Sequence, residues 1–590
     1  MNNKIKIPLI LFALAMALYV TGLGATALLD PDEPVYAQTA REMVETGSWL
    51  TPRLNGLLWF DKPPMYFWLS AVSFKIFSVG EFAARFPSCL MAALLIMLVY
   101  IWARRAFDEK IALYSSLCLS VSLLFSFIAR AAVTDMTLCF FMNLSFYMIY
   151  LAGVMPEKRF KYINLFYFFS GFSVLTKGPV GLVLPLIVIM AFLACRRDWK
   201  FLRALYSPAG FALFALSALP WYIAMLLLHG TQFFNTFIGY HNLIRFLEPE
   251  HVRSSSVFFY VPVLIAGFFP HMAPLGAFIK DFFVKIFTRD FYARYIFVKD
   301  DMTSDRAAAS LSLLIFISAC IFGFFSIAKT KLVTYIMPMF PAFAIITGYY
   351  YNKLSVSGRK NPAGAVLSLL LGGALAYGFY AVAPVKIAIV NPAPFFYLSI
   401  AAAAITALNL FFSLSSARRP FIYLNCSMMA VFLLTLNLSL LPQFGALHSS
   451  RDICLLIKKE IKPGEKLGYF SKTMSALFYS DVSITHVNES ASSRMGAGKV
   501  SGAQAAVSAE KKYDAGGDES INFVRNIKPL EIAEAYKYID KFRKFRNFMS
   551  HKEKVYVIML NSDFQNYSQE IKINHKPGPV AGKYTYITNK

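Results

Sequence analysis

The chain reads as an all-α polytopic membrane protein carrying a small α/β domain at its C-terminal end, and three observations predict this. Apolar residues make up 57% of the 590 and charged residues only 16%, with 57 Phe and 32 Tyr, more apolar surface than a water-soluble globule buries. Thirteen apolar windows approach the roughly 20 residues that cross a bilayer as helix. From about His448 onward the chain turns polar, with strand-like runs at 466–470 and 555–560 and a helical pattern around 529–548.

The first window runs from the Lys4-Ile5-Lys6 start to Leu29. Ala25-Thr26-Ala27 resembles a cleavage site, but the run is long enough to span, and cutting there would separate the acidic segment that follows from its anchor. An uncleaved first span is therefore expected. Further windows lie at 84–103, 111–128, 135–153, 162–176, 178–195, 208–228, 256–279, 309–327, 333–351, 363–382, 394–413 and 421–441.

An odd number of spans puts the two chain ends on opposite sides, and basic residues give the direction. Lys4 and Lys6, Arg104 and Arg105, Lys158 and Arg159, Arg196 and Arg197, Lys280 to Arg306, Lys353 to Lys360, and Arg418 and Arg419 all fall on one side. The positive-inside rule makes that side cytoplasmic, so the 30–83 loop and the domain after residue 446 are expected outside. The formal charge of +24 is spread over these loops, which argues against a nucleic-acid partner. Six of the seven Cys lie in or beside spans, leaving Cys454 alone in the last domain, so no disulfide framework is implied. The Gly-, Ala- and Ser-rich stretch 490–517 reads as a mobile loop and not as a phosphate cradle.

The loop from Leu28 to Phe77 gathers the chemistry. Asp30, Asp32 and Glu33 open it; Asp61, Lys62, Pro63 and Pro64 close it. Between them one short amphipathic helix is expected, with Pro34 in its first turn and Gly47 at its stop, so Asp32 and Glu33 sit at the positive end of the helix dipole. Asp32 is then either a helix cap or a carboxylate held for chemistry. On the same face of the membrane fall Asp135 in RAAVTDMT, Lys177 in LTKGPVG, His241 and Arg245 in YHNLIRF, and Lys329, Lys331 and Tyr335 in SIAKTKLVTYIMP. Lysines at span ends commonly snorkel, but Asp135 is too short to do so and points toward function.

These elements carry a family resemblance. DEPVYAQ, then REMVETGSWLTPRLNGLLWFDKPP, an outer Asp, TKGP, the HNL(I)RF element and KTKLVTYIMP resemble, in that order, the bacterial polyprenyl-phosphate-dependent glycosyltransferases of the GT-C fold. The resemblance is to the aminoarabinose transferases that modify lipid A and to the protein O-mannosyltransferases, and it covers residue 1 to about Tyr350.

It implies a sugar donor carried on undecaprenyl phosphate, no nucleotide cofactor, inversion at the anomeric carbon, and an acceptor such as lipid A, another glycolipid or a protein hydroxyl. The candidate catalytic carboxylates are Asp32, Asp135 and Glu33, with Asp32 taking the acceptor's proton. Lys62, Arg245, Lys329, Lys331, Tyr335 and Lys177 are the candidates for holding the leaving phosphate. By carry-over, Asp61 and His241 would hold a divalent metal such as Zn, Mg or Mn. Val35 stands where the aminoarabinose transferases carry Arg, and Asp61 where they carry Glu, so sugar, acceptor and metal stay open. The rival classes are a transporter or lipid flippase, whose ionisable residues gather near the midplane instead of at one face, and a structural anchor, which needs far fewer spans.

Overall fold

Each of the thirteen apolar windows coincides with helix, but the helices differ in length and continuity. In this computed structural model the described residues are 3–244, 256–285, 288, 302, 305–382, 391–415, 421–462, 465–469, 474–480, 484–486, 545, 548–550, 553–567 and 576–589. The loop expected at 490–517 and most of the helical pattern at 529–548 lie outside them.

The helices relevant to the windows and the first loop are α1 (Asn3–Val20), α2 (Asp32–Thr46), α3 (Met65–Phe77), α4 (Glu81–Ala106), α5 (Glu109–Val121), α6 (Leu123–Ile128), α7 (Asp135–Val154), α8 (Arg159–Lys177), α9 (Val180–Cys195), α10 (Trp199–Ala204), α11 (Pro208–Phe233), α12 (Tyr260–Gly267), α13 (Met272–Lys285), α14 (Arg306–Ile327), α15 (Phe340–Ser357), α16 (Pro362–Tyr377), α17 (Ala393–Leu414) and α18 (Phe421–Thr435). Among the described residues, eight helical segments are by themselves long and apolar enough to cross a membrane. The other five windows depart for visible reasons. α1 and α9 are short, and α8 carries Arg159, Lys161 and Lys177. The window at 111–128 breaks at Ser122, and that at 256–279 breaks between Gly267 and Met272.

The two breaks answer each other. Ser122 leaves the helical conformation, and the Leu123 amide donates to the Phe269 carbonyl at 3.1 Å. In hydrocarbon a freed backbone donor costs several kcal/mol unless another segment accepts it, so paired interruptions are the economical arrangement. Beside them, fully buried His271 meets the Cys118 carbonyl at 2.9 Å and the Tyr351 hydroxyl at 3.3 Å. Asn425 donates to Tyr351 at 3.1 Å and accepts from Asn409 at 3.1 Å, which joins α15, α17 and α18 through one buried polar group. Close packing elsewhere uses small residues: a Cβ on Gly276 would lie 2.5 Å from the Gly364 Cα, so α13 and α16 approach at backbone distance.

The chain divides into two compact units, one of 1–26, 39–53 and 58–444, the other of 27–38, 54–57 and 445–590. The second therefore includes the acidic start of the first loop. Beyond the two-residue strands β1 (Arg53–Leu54) and β2 (Leu57–Leu58), its sheet comprises β3 (Lys466–Tyr469), β4 (Ile484–His486), β5 (Val555–Leu560), β6 (Lys576–Ala581) and β7 (Tyr584–Thr588) in the order β4-β3-β5-β7-β6. β3 runs parallel to β4 and β5, and β7 runs antiparallel to β5 and β6. Val555, Val557, Met559 and Ile587 pack with Phe545, Phe548 and Met549 as its core. Two further helices, at Arg451–Glu460 and Ser475–Tyr479, complete the α/β character expected from the sequence.

Candidate active site

In the first unit, α7 begins at Asp135 and α8 ends at Lys177. Gly178, at φ +82°, supplies the left-handed residue that stops α8, and Pro179 follows, so the ammonium stands at the helix end. Lys177 Nζ lies 2.7 Å from Asp135 Oδ1 and 4.9 Å from the centre of the Tyr335 ring. Asp135 is buried, and a buried carboxylate stays charged at tolerable cost only with a partner of this kind.

Tyr335 lies in a 3₁₀ turn, Val333–Met339, between α14 and α15. That turn is fastened to α7 along one stripe. Cys139 donates to the Met337 carbonyl at 3.4 Å, and Asn143 donates to the Pro338 carbonyl at 2.9 Å. Asp135, Cys139 and Asn143 are spaced by four, so they share one helix face, and the face that bears the acid also seats the tyrosine turn. The Tyr260 hydroxyl holds the other side of the turn through the Leu332 carbonyl at 3.0 Å. Lys331 is buried and donates to the Ala328 carbonyl, whereas Lys329 is exposed.

The Asp61–Lys62 pair belongs to the same unit. Lys62 Nζ lies 2.9 Å from Asp61 Oδ2, with both side chains largely covered. Its flanking residues Phe60 and Met65 pack in an apolar cluster with Leu175, Trp221, Met225, Phe233 and Phe237; Leu175 is two residues before Lys177, so the pair is laid against that end of α8. The strand-like approach to the pair is clamped by aromatic side chains. Trp68 donates to the Trp49 carbonyl at 2.7 Å, Trp221 to the Leu50 carbonyl at 2.9 Å, and His229 contacts Thr51 Oγ1 at 3.0 Å. Residues outside the loop, Trp221 and His229 on α11, thus shape it; their indole and imidazole at an aromatic span end were the available signal.

Two arginines also escaped the sequence reading. Arg85 donates to the carbonyls of Leu23 at 3.1 Å and Thr26 at 2.6 Å, and Arg130 to those of Tyr19 and, at 2.7 Å, Thr21. Both serve the open carbonyls where α1 ends.

Asp32 and Glu33 belong to the second unit, as the first two residues of α2. α2 ends at Thr46, with Gly47 at φ +70°, as its sequence predicts. Glu33 Oε2 accepts from the Leu29 amide at 2.9 Å, so this carboxylate closes a turn ahead of the helix. Arg245 lies outside the described residues, and so does the side chain of His241. Asp61 is engaged by Lys62, and among the described residues no three His, Cys, Asp or Glu converge on a metal site.

A many-helix membrane glycosyltransferase is the class that this fold and this end of the bundle define. The fold is similar to that of ArnT from Cupriavidus metallidurans bound to undecaprenyl phosphate, with a TM-score of 0.74 at 21% identity, covering 99% of this chain and 98% of that one. The dolichyl-phosphate-mannose-protein mannosyltransferase family matches residues 61–223. An uncharacterised protein of Aquifex aeolicus (strain VF5) is 30% identical over 457 residues, 77% of this chain and 79% of its own. The undecaprenyl phosphate-alpha-4-amino-4-deoxy-L-arabinose arabinosyl transferase of Edwardsiella ictaluri (strain 93-146) is 28% identical over 361 residues, 60% of this chain and 61% of that protein. The chain belongs to this ArnT-like family of GT-C membrane glycosyltransferases. Its alignment spans about three fifths of the length of the arabinosyl transferase.

Proposed function

We propose that this protein transfers a sugar from undecaprenyl phosphate to an acceptor on the outer side of the bacterial cytoplasmic membrane, with inversion at the anomeric carbon. The observation that carries the reading is the largely covered Asp135–Lys177 pair beside Tyr335, at the bundle end that also bears the Asp61–Lys62 pair. The names of the arabinosyl transferase relatives and of the ArnT complex support an undecaprenyl-phosphate donor. The one-sided basic loops support the orientation, in which the membrane-embedded site and the C-terminal domain face outward.

In the reaction, an acceptor oxygen attacks the anomeric carbon as the bond to the phosphate oxygen breaks, and polyprenyl phosphate leaves with the bonding pair. Lys62, Lys177 and Lys331 supply positive charge to that oxygen and Tyr335 supplies a hydroxyl, a preorganised donor set in a site poor in water. Lys329 and Arg245 remain candidates for the same role. Asp135 acts by orienting the Lys177 ammonium. Asp32 accepts the proton of a hydroxyl acceptor; an acceptor phosphate that is already ionised needs no base, and Asp32 then orients it or its cation. The acceptor class comprises lipid A, other lipopolysaccharide sugars and protein hydroxyls. A divalent metal held by Asp61 and His241 is a separate proposal, decided by elemental analysis of the purified protein and by activity after chelation.

The test is transfer in proteoliposomes from a radiolabelled polyprenyl-phosphate sugar to purified lipid A or a serine-rich peptide. Labelled acceptor without solute flux is the expected result. Movement of the lipid between leaflets with no labelled acceptor would make the protein a flippase instead.

A further inference from the structure

The acidic start of the loop is held by residues more than 440 positions away in the sequence. Asp30 accepts from the Ser475 amide at 2.5 Å and the Ser475 hydroxyl at 2.6 Å, and its second oxygen also accepts from the Tyr584 hydroxyl at 3.1 Å. Two residues earlier, the Leu28 amide donates to the Tyr479 hydroxyl at 2.8 Å. Ser475 and Tyr479 are the first and last residues of one five-residue helix, so the segment is gripped at both ends of it. Ser475 is itself pinned from behind. It is fully buried, and its hydroxyl receives the Ser450 amide at 2.9 Å and meets the Ser450 hydroxyl at 2.8 Å. The Leu29 amide, between the two gripped residues, is taken by Glu33 in the first turn of α2.

We infer that the C-terminal domain is a positioning device for the reaction: through Ser475, Tyr479 and Tyr584 it holds Leu28 and Asp30, and through them the N-terminus of α2 that presents Asp32. Asp30 is a positioning residue on this account, and touches no substrate. The inference rests on the reading of Asp32 as the group that meets the acceptor. Its physical basis is that an isolated chain segment of six residues carrying three acids has no reason to keep one geometry, whereas four hydrogen bonds to groups fixed in a sheet and a buried helix do impose one. A displacement of about 1 Å at a reacting group can cost roughly 10²-fold in rate, so a fastener of this kind acts on turnover and not on donor affinity.

The full-length protein in proteoliposomes tests this with Asp30→Ala, the milder Tyr479→Phe and Tyr584→Phe, and the conservative Asp30→Asn, whose amide oxygen still accepts from Ser475. Asp30→Ala is expected to lower kcat about 10²-fold with the donor KM within about twofold. Each tyrosine variant should give a smaller loss of the same kind, and Asp30→Asn should recover most of the rate. Hydrogen exchange over residues 28–36, read independently of activity, should quicken in the order of those losses. Faster exchange with unchanged kcat would reduce the clamp to a structural tie and overturn the inference. So would equal damage from Asp30→Asn and Asp30→Ala. Wild-type turnover by Asp32→Asn, with exchange at 28–36 still quickened in Asp30→Ala, would instead locate the failure in the role given to Asp32.

Discussion

Lys177 places its ammonium 2.7 Å from the carboxylate of Asp135, joining the last residue of one membrane helix to the first residue of its neighbour. Removing one partner of this largely covered pair leaves the other charge uncompensated, at a cost of up to roughly 3–5 kcal/mol, the range for fully buried pairs. Lys177→Met should therefore lower the apparent melting temperature, and the double variant Lys177→Met with Asp135→Asn should regain stability because neither charge remains. Transfer should stay at least about 10²-fold down in both, since the phosphate loses a preorganised cation. A double variant that recovers activity along with stability would show the pair to be structural.

Lys62 gives a different signature. A charge-assisted hydrogen bond to phosphate contributes roughly 1.5 to 3 kcal/mol, so Lys62→Ala should weaken use of the polyprenyl-phosphate donor about 10- to 100-fold. Tyr335→Phe, which removes only a neutral hydroxyl, should do so by less. Wild-type donor kinetics in both would remove them from the site.

Asp32 can be tested without disturbing its helix. Asn and Asp cap helix N-termini about equally well, so Asp32→Asn should leave the melting temperature of the protein within a degree or two of wild type. Loss of a general base predicts a rate lower by about 10² to 10⁴ with a hydroxyl acceptor and a smaller loss with an acceptor that is already anionic. Equal turnover by variant and wild type with every acceptor would leave Asp32 as a helix cap alone.

Asp30 sets a pH dependence of stability. Burial pushes its carboxyl up to about 6, although the hydrogen bonds from Ser475 and Tyr584 act in the opposite direction. Among the described residues Cys454 and Tyr584 also face it, and burial keeps both protonated in this range. Between about pH 4 and pH 6 the folded domain binds more protons at this site than the unfolded chain does. Stability from this group therefore falls as pH rises through that window and is level above it, a change of about 3 kcal/mol at most. Asp30→Asn has no such charge to bury, so its melting curve should lack the slope and match or exceed wild type at pH 7. Parallel pH profiles from pH 4 to 8 would contradict this.

Orientation is tested by single cysteines introduced at exposed positions, Thr46 in the first loop and Val580 in the C-terminal domain; Ser475 is unsuitable because it is fully buried. An impermeant thiol reagent should label both in intact spheroplasts. Labelling of either only after lysis would reverse the assignment of sides.

What the sequence determined by itself is whatever depends on local composition and short spacing. Apolar length marks a span wherever the solvent is hydrocarbon, so all thirteen windows lie on helices; Pro34 falls in the first turn of α2 and Gly47, at φ +70°, follows its last residue, because each suits that backbone position. The family's polar motifs were also legible, since charges at span ends are rare enough to stand out. What only the tertiary structure decided is which of those charges meet. Nothing in TDMT or LTKGP says that Asp135 pairs with Lys177, because that depends on the far ends of two consecutive helices, 42 residues apart in sequence, being brought together. Nor could the sequence show that Asp30 is gripped from Ser475 and Tyr584, or that α11 clamps the approach to Asp61 through Trp221 and His229. Hydrophobic burial sets which faces turn inward without naming partners, and hydrogen bonds select those partners only once packing has brought donor and acceptor within about 3 Å.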